Sequence, residues 1–164
     1  MRKANIDAYL TVIVRDKNGK VVYRRRYKSR SFLEGFLNAL AASFSGNCAF
    51  GSPNLVVGSG TIPPKITDTG LTNQIGNGTG PGQLQYGIDS FSAPIINTNT
   101  NTASFPWTKT FNNGSGGNVT VSEVGAYVGC GSNTYFILHD LLPSPITLAP
   151  NQVLTVVYTI TIST

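Results

Sequence analysis

The sequence predicts a mainly β protein: an antiparallel β-sandwich of jelly-roll type with one α-helix and a basic N-terminal β-hairpin. Short runs of alternating apolar and polar residues, separated by turn residues, predict the strands. Gly occurs 18 times and Pro 9 times in 164 residues, and only one segment has apolar residues at helical spacing. Charged residues make up 12% of the chain. That is about half the usual share, which excludes a coiled coil, a helical bundle and a highly charged disordered chain.

The chain begins with the hairpin. Between residues 5 and 15, apolar side chains from Ile6 to Val14 alternate with mostly polar ones, which is the pattern of a strand with one buried face. The pair Asn18-Gly19 favours a tight turn. The returning strand, residues 21–28, is strongly cationic. One of its faces carries Val22, Arg24, Arg26 and Lys28, and the other carries Val21, Tyr23, Arg25 and Tyr27.

One helix is predicted over residues 32–44. Ser31 and Glu34 match a capping box, in which the serine accepts a hydrogen bond from a free backbone amide and the glutamate reaches back. Apolar residues from Phe32 to Phe44 recur at helical spacing, and Gly46 ends the segment. This wide apolar stripe must lie on a sheet or on a neighbouring subunit.

Short β-like runs follow Gly46, and their spacing indicates antiparallel sheets and not βαβ units. Pro106 suggests that its strand lies at an edge or contains a bulge. The predicted strands are residues 54–58, 83–89, 103–112, 119–128, 134–141, 146–148 and 152–162.

Two stretches between these strands are rich in Gly, Pro, Asn and Thr: residues 58–82 and residues 97–102. Neither contains enough apolar surface to offset its ordering entropy alone. A loop longer than about 15 residues is unusual in a compact domain unless it is functional. We therefore expect residues 58–82 to pack against a neighbour or extend over the surface. We divide the chain into a basic hairpin arm, residues 1–30, and a β-sandwich domain with one packed helix, residues 31–164.

The charges are distributed unevenly between these two parts. Residues 1–30 hold ten Lys and Arg against two Asp, a net charge of +8, whereas residues 31–164 hold two Lys against five acids, a net charge of −3. Such asymmetry indicates that the basic part meets nucleic acid or an acidic surface. The alternative is a solvated face that only aids solubility.

The basic segment supplies the candidate contact residues. Cations can bind phosphates by charge, and the interleaved tyrosines can stack on bases. A hairpin with Arg on both faces can bury neither face unless an anion neutralises it. No zinc-finger, helix-turn-helix or RNA-recognition motif accompanies the segment. The candidates for contact with an anionic partner or a neighbouring subunit are Tyr23, Arg24, Arg25, Arg26, Tyr27, Lys28 and Arg30.

The sequence does not predict an enzyme or a cofactor site. His139 is the only histidine, and its neighbour Asp140 should point to the opposite face of a strand, so the pair cannot act together as in a catalytic triad. We expect His139 to lie at an edge or interface. Strand alternation directs Glu123 inward, where backbone amides or a base such as Lys109 would satisfy it.

Cys48 and Cys130 are 82 positions apart, without the paired spacing of a metal site. They are either two buried free thiols, the default in a reducing cytosol, or one disulfide between two turn-like segments. No apolar run approaches the roughly 20 residues of a membrane helix. The basic start has no long apolar core after it, so we expect a protein made in the cytoplasm without a secretory signal.

Five segments of the chain carry a resemblance to a known class of proteins. They are Val56-Val57-Gly58-Ser59-Gly60, Thr67-Asp68-Thr69-Gly70-Leu71, Phe111-Asn112-Asn113, Val121-Ser122-Glu123-Val124-Gly125-Ala126-Tyr127 and residues 146–158. Through them, residues 55–162 resemble β-rich structural proteins in the virions of phages and archaeal viruses. The resemblance implies a building block of a capsid, tail or surface decoration, located in the virion, and it carries over no active-site residues.

The predicted function is therefore a viral structural protein that self-assembles into a homo-oligomeric particle or filament. We expect contacts from the basic hairpin, from residues 58–82 and from the C-terminal strand, with the hairpin meeting neighbouring subunits or the packaged genome. One alternative is a small nucleic-acid-binding protein that uses the same hairpin. The other is a non-viral extracellular filament or adhesin subunit.

Overall fold

A computed structural model of the protein describes residues 3–29 and 31–164. The described residues form ten strands and one helix, so the predicted mainly β, antiparallel fold with one helix is confirmed. The elements are β1 (Asn5–Arg15), β2 (Val21–Ser29), α1 (Glu34–Phe44), β3 (Phe50–Gly58), β4 (Gln85–Tyr86), β5 (Ser90–Phe91), β6 (Ile95–Asn97), β7 (Thr102–Asn112), β8 (Val119–Cys130), β9 (Asn133–Leu148) and β10 (Val153–Ser163).

The strands form two antiparallel sheets, which we call the large sheet and the small sheet. The large sheet has seven strands in the order β2-β1-β10-β7-β4, with β5 and β6 also paired to β7. The small sheet has three strands in the order β3-β8-β9. Three short strands thus share one long partner, β7, and Pro106 lies where the pairing of β7 passes from β5 to β6.

The hairpin is part of the large sheet and not a separate arm. Strand β1 pairs with β10 over its whole length, from Asn5 opposite Ser163 to Arg15 opposite Val153. Its alternating apolar residues are buried in the core, which is why the strand needs neighbours on both sides. The predicted division at residue 30 therefore does not describe the fold. Of the two hairpin strands, β1 is an interior strand of the large sheet and β2 is an edge strand.

The main core lies between the two sheets. Burying one aliphatic or aromatic side chain contributes roughly 1.5–3 kcal/mol, so the apolar side chains buried between the sheets supply most of the driving force for folding. The large sheet contributes Leu10, Val12, Phe111, Leu154, Val156 and Tyr158, and the small sheet contributes Leu55, Val57, Val124, Ala126 and Leu138.

The helix begins two residues later than predicted, at Glu34, and the predicted capping box is wrong. Its N-cap is Leu33, which makes no side-chain capping bond. Backbone carbonyls elsewhere in the fold accept the free amides instead: Leu33 N donates to Ile137 O at 3.0 Å and Glu34 N to Ile66 O at 2.9 Å. Tertiary contacts thus satisfy donors that a local cap would otherwise bind.

Residues 60–72 cover the outer face of the small sheet, and residues 73–75 pair with the end of β3. Ile75 and Leu84 then join the main core. Ser59 N donates to Asn73 O, and Ile75 N donates to Val57 O, both at 2.9 Å. A β-carbon added at Gly125 would lie 2.5 Å from the Phe136 ring and 2.9 Å from Leu71, so this close approach requires glycine. The long loop predicted at residues 58–82 therefore packs on its own domain.

Other predicted boundaries change with pairing. Residues 97–102 form the tight connection between β6 and β7, where Asn97 Oδ1 accepts hydrogen bonds from Asn99 N at 3.0 Å and Thr100 N at 3.2 Å. Predicted strands 134–141 and 146–148 are one strand, β9, whose pairing with β8 shifts register after Val121. Predicted strand 83–89 shortens to the two residues of β4.

Candidate functional site

Among the described residues, cationic side chains cluster on the outer face of β1 and β2. Residues directly opposite each other in an antiparallel pair share a face. Arg24, Arg26 and Lys28 pair with Ile13, Thr11 and Tyr9, respectively, on the side away from the buried Leu10 and Val12. We call this surface the basic face and define it by Tyr9, Arg15, Arg24, Arg26 and Lys28.

Arg24, Arg26 and Lys28 of the basic face are exposed, whereas Tyr9 and Arg15 are half-buried. Contacts within the face and with its neighbours partly order these side chains. The Arg26 guanidinium lies 4.5 Å from the centroid of the Tyr9 ring, a cation–π contact. Lys28 Nζ lies 2.8 Å from Asp7 Oδ1 in an exposed ion pair. Arg15 Nη1 donates to Thr155 Oγ1 at 3.2 Å. The guanidinium groups of Arg15, Arg24 and Arg26 carry most of the positive charge of this face.

The remaining predicted contact residues lie elsewhere. Tyr23 and Tyr27 alternate onto the inner side of β2, where their hydroxyl oxygens are 3.1 Å apart and their rings pack against the core. Burial and the hydrogen bond to Tyr23 raise the pKa of Tyr27 to about 12. Arg25 is exposed on the same inner side, 5.4 Å from the Tyr23 ring centroid. Arg30 lies outside the described residues.

The first of three buried groups of polar side chains lies between the small sheet and residues 60–73. His139 Nδ1 lies 2.8 Å from Asp68 Oδ2, and His139 Nε2 lies 3.0 Å from Glu123 Oε2. His139 and Glu123 are inaccessible, and Asp68 is about three-quarters buried (23% exposed). His139 is therefore an interior residue and not the edge or interface histidine that we expected.

Glu123 has the backbone partners that the sequence predicted, but its basic partner is His139 and not Lys109. Lys109 instead donates to Asp89 Oδ2 at 2.7 Å and to Asn54 Oδ1 at 2.6 Å. Asp89 Oδ1 also accepts from Trp107 Nε1, at 2.8 Å. This second buried group connects β3, the β4–β5 connection and β7.

Asp140 forms a third internal group between the sheets. Its Oδ2 accepts hydrogen bonds from Ser29 Oγ at 2.7 Å and from Tyr158 Oη at 2.8 Å. Complete burial and the nearby Asp140 carboxylate raise the pKa of Tyr158 well above its ordinary value. His139 and Asp140 thus point to opposite sides of β9, as strand alternation predicted, and each has a separate set of partners.

One end of the sandwich contains an apolar cavity of about 330 Å³. It opens between the sheets and is partly covered by α1. None of the described residues that line it is charged, and three of them, Phe50, Phe91 and Ile162, are 42–49% exposed. The other lining residues include Phe36, Leu40, Phe105, Val128, Ile137 and Ile160.

The structure joins Cys48 and Cys130 in a disulfide, with their Cα atoms 5.3 Å apart. The bond connects the segment after α1 to the end of β8. Within residues 3–29 and 31–164, no cluster of His, Cys, Asp and Glu has the arrangement of a metal site. No helix in the described part of the chain is long and apolar enough to cross a bilayer.

Sequence reasoning missed the joining of Asp68, Glu123 and His139. The available signals were an inward-facing glutamate and a lone histidine at the end of an apolar run. Glu123 and His139 are 16 residues apart on neighbouring strands, and their hydrogen bond depends on the register of those strands.

No protein-family model, curated protein or solved structure matches this chain.

Proposed function

We propose that this chain is a structural subunit of a virion, in a capsid, tail or surface layer, that associates with copies of itself into a particle or filament. The observation that carries the proposal is the exposed apolar end of the sandwich around the cavity mouth. We define the apolar end by Phe44, Phe50, Phe91 and Ile162.

The apolar end extends from the cavity along α1. Phe36, Leu40 and Phe44 are spaced four residues apart and so follow one stripe of the helix. The first two line the cavity, whereas Phe44 is 84% exposed. Contiguous exposed apolar surfaces on a folded chain mark sites of association.

A second copy of the chain is the occupant that fits this surface. The described part of the cavity lining offers no charged group to orient a polar ligand, so burial of apolar area would supply most of the binding free energy. Contacts between copies that close on themselves give rings or particles, and contacts that do not close give filaments. Both outcomes agree with the virion resemblance of residues 55–162.

The test is the size of the purified protein in solution. We expect sedimentation velocity and negative-stain microscopy to show large, regular assemblies of the wild type. Phe44→Ser and Phe91→Ser should shift the protein towards monomers. The matched control is Ile62→Ser, which removes a 55% exposed apolar side chain from the loop over the small sheet.

The proposal fails if the wild type stays monomeric at every concentration tested. It also fails if Ile62→Ser disrupts assembly as strongly as the two substitutions at the apolar end. Circular dichroism establishes that each variant is folded before its assembly is compared.

An extracellular filament or adhesin subunit is the second candidate, and the Cys48–Cys130 disulfide favours it, because disulfides persist in oxidising compartments. Both candidates require self-association. Nucleic acid enclosed in assemblies isolated from the native source would support the virion subunit, and filaments without nucleic acid would support the alternative.

A further inference from the structure

We infer that the basic face binds the phosphodiester backbone of nucleic acid. The inference names a partner for one surface of the subunit proposed above. It rests on that proposal only for the biological source of the nucleic acid, since the contact itself does not require assembly through the apolar end.

The geometry of β2 presents a row of cations. Alternate residues of a strand share a face and lie roughly 6–7 Å apart, so Arg24, Arg26 and Lys28 form a row of about 13 Å. Arg15 of β1 lies on the same side, held by Thr155. This row can contact successive phosphates of a single strand or of one strand of a duplex.

The protein offers no matching acidic surface, so a second copy is not the partner of this row. All seven Asp and Glu are among the described residues. Asp68, Asp89, Glu123 and Asp140 are engaged in the internal groups described above. The net charge of −3 on residues 31–164 is therefore mostly internal.

The other three carboxylates do not form an acidic patch either. Asp7 pairs with Lys28 on the basic face itself. Asp16 accepts hydrogen bonds from Asn18 N and Lys20 N in the hairpin turn. Glu34, on α1, is exposed, whereas the other six Asp and Glu residues are partly or fully buried. One carboxylate cannot neutralise the row, and the partner is therefore an external polyanion.

The contact between Arg26 and Tyr9 favours nucleic acid over an acidic protein. Charged residues also protect edge strands from pairing with other chains, but that role needs no aromatic ring on the adjacent interior strand. A guanidinium stacked near a tyrosine ring provides a planar surface beside the cations, on which a base can stack. Thr159, directly opposite Tyr9 on β10, continues the outer face and carries a hydroxyl group.

The experiment measures binding of the full chain to fluorescent oligonucleotides by fluorescence anisotropy. Single-stranded and duplex probes of about 20 nucleotides are compared between about 50 and 200 mM salt. We expect binding that weakens with salt, with a log–log slope of about −2.7 for the duplex and about −2.1 for the single strand if Arg24, Arg26 and Lys28 each contact one phosphate. Polyglutamate of matched length serves as the acidic-protein probe and should bind more weakly.

The variants compare the two faces of one strand. Arg24→Ser and Arg26→Ser should each weaken binding several-fold and reduce the salt slope by about 1. Arg25→Ser removes the same charge from the inner side and should change the affinity less than about twofold. Arg26→Lys keeps the charge but loses the planar group, and should weaken binding of the single-stranded probe more than binding of the duplex.

Three results would overturn the inference: no binding of either probe at about 50 mM salt, an equal loss in Arg25→Ser, or equally tight binding of polyglutamate. Sedimentation of the same variants separates this inference from the proposed function. If a variant loses oligonucleotide binding but still assembles, the result bears on the basic face and leaves the proposed function unaffected. If a variant loses assembly but still binds the oligonucleotide, the result bears on the apolar end and leaves the present inference unaffected.

Discussion

Glu123 is fully buried, yet both of its carboxylate oxygens are hydrogen-bonded. Oε1 accepts from Gly60 N at 3.0 Å and Asn73 N at 2.8 Å. Oε2 accepts from Thr72 N at 3.1 Å and lies 3.0 Å from His139 Nε2. A buried carboxylate is tolerated only when such partners replace its hydration. This residue therefore anchors both ends of the 59–73 segment to β8.

We predict that Glu123→Gln lowers the free energy of unfolding by about 2–4 kcal/mol. The substitution replaces one acceptor oxygen with an NH₂ group, which then faces backbone N–H donors and leaves at least one of them unsatisfied. Urea unfolding measures the change. The control is Glu34→Gln, an exposed change that should stay within about 0.5 kcal/mol. A Glu123→Gln protein as stable as the control would contradict this account.

At the scale of elements, residues 60–73 form an irregular layer on the small sheet, and the attachment of this layer depends on charge. Burial opposes ionisation of Glu123, but the amides of Asn73, Thr72 and Gly60 and the His139 ring outweigh it and lower the pKa of Glu123. Burial likewise opposes ionisation of Asp68, but hydrogen bonds with Lys65 N and His139 outweigh it and lower the pKa of Asp68. Glu123 faces this layer from β8, and Asp68 lies within the layer.

Acid should therefore destabilise the protein through this layer. A group whose folded-state pKa is lowered binds protons more readily in the unfolded state, so its contribution is complete above the ordinary carboxyl pKa of about 4 and is lost as pH falls below it. We expect the free energy of unfolding to drop between about pH 5 and pH 3. Denaturant unfolding across this range measures the drop.

The same measurement on variants assigns the effect to the layer. Glu123→Gln removes one of the two carboxylates and should flatten the acid dependence, whereas Glu34→Gln should retain the wild-type slope. Equal slopes in all three proteins would show that other carboxylates control the acid response.

At the scale of the whole molecule, one disulfide closes a long stretch of chain. Cys48 and Cys130 are separated by 82 residues and connect the segment after α1 to the end of β8. A cross-link over such a distance stabilises the folded state mainly by restricting the unfolded chain.

We predict that Cys48→Ser/Cys130→Ser lowers the free energy of unfolding by about 2–4 kcal/mol without changing the fold. Thermal unfolding with and without a thiol reductant tests this. Reductant should lower the Tm of the wild type to that of the double variant and leave the variant unchanged. A wild-type Tm that does not respond to reductant, although the thiols are shown to be reduced, would refute the prediction.

The sequence predicted most long strands because their alternation is local. Strands β1, β7, β8 and β10 lie within a few residues of the predicted ranges. The short strand β4 and the start of α1 differ from prediction, since β4 is limited by its pairing with β7 and the amide of Leu33 finds its acceptor at Ile137. Both boundaries are set by pairing with residues that are distant in the sequence, and the local sequence pattern does not indicate that pairing.

By itself, the sequence determined the antiparallel β class, the cationic second strand and the alternation that places Arg24 and Arg25 on opposite faces of it. Only the tertiary structure decided which charges remain on the surface. It turned four of the five acids beyond residue 30 inward and placed β1 beside β10, about 150 residues later in the chain. Burial of a side chain depends on which strands pair and which layers stack, and neither is encoded in the local pattern around any one residue.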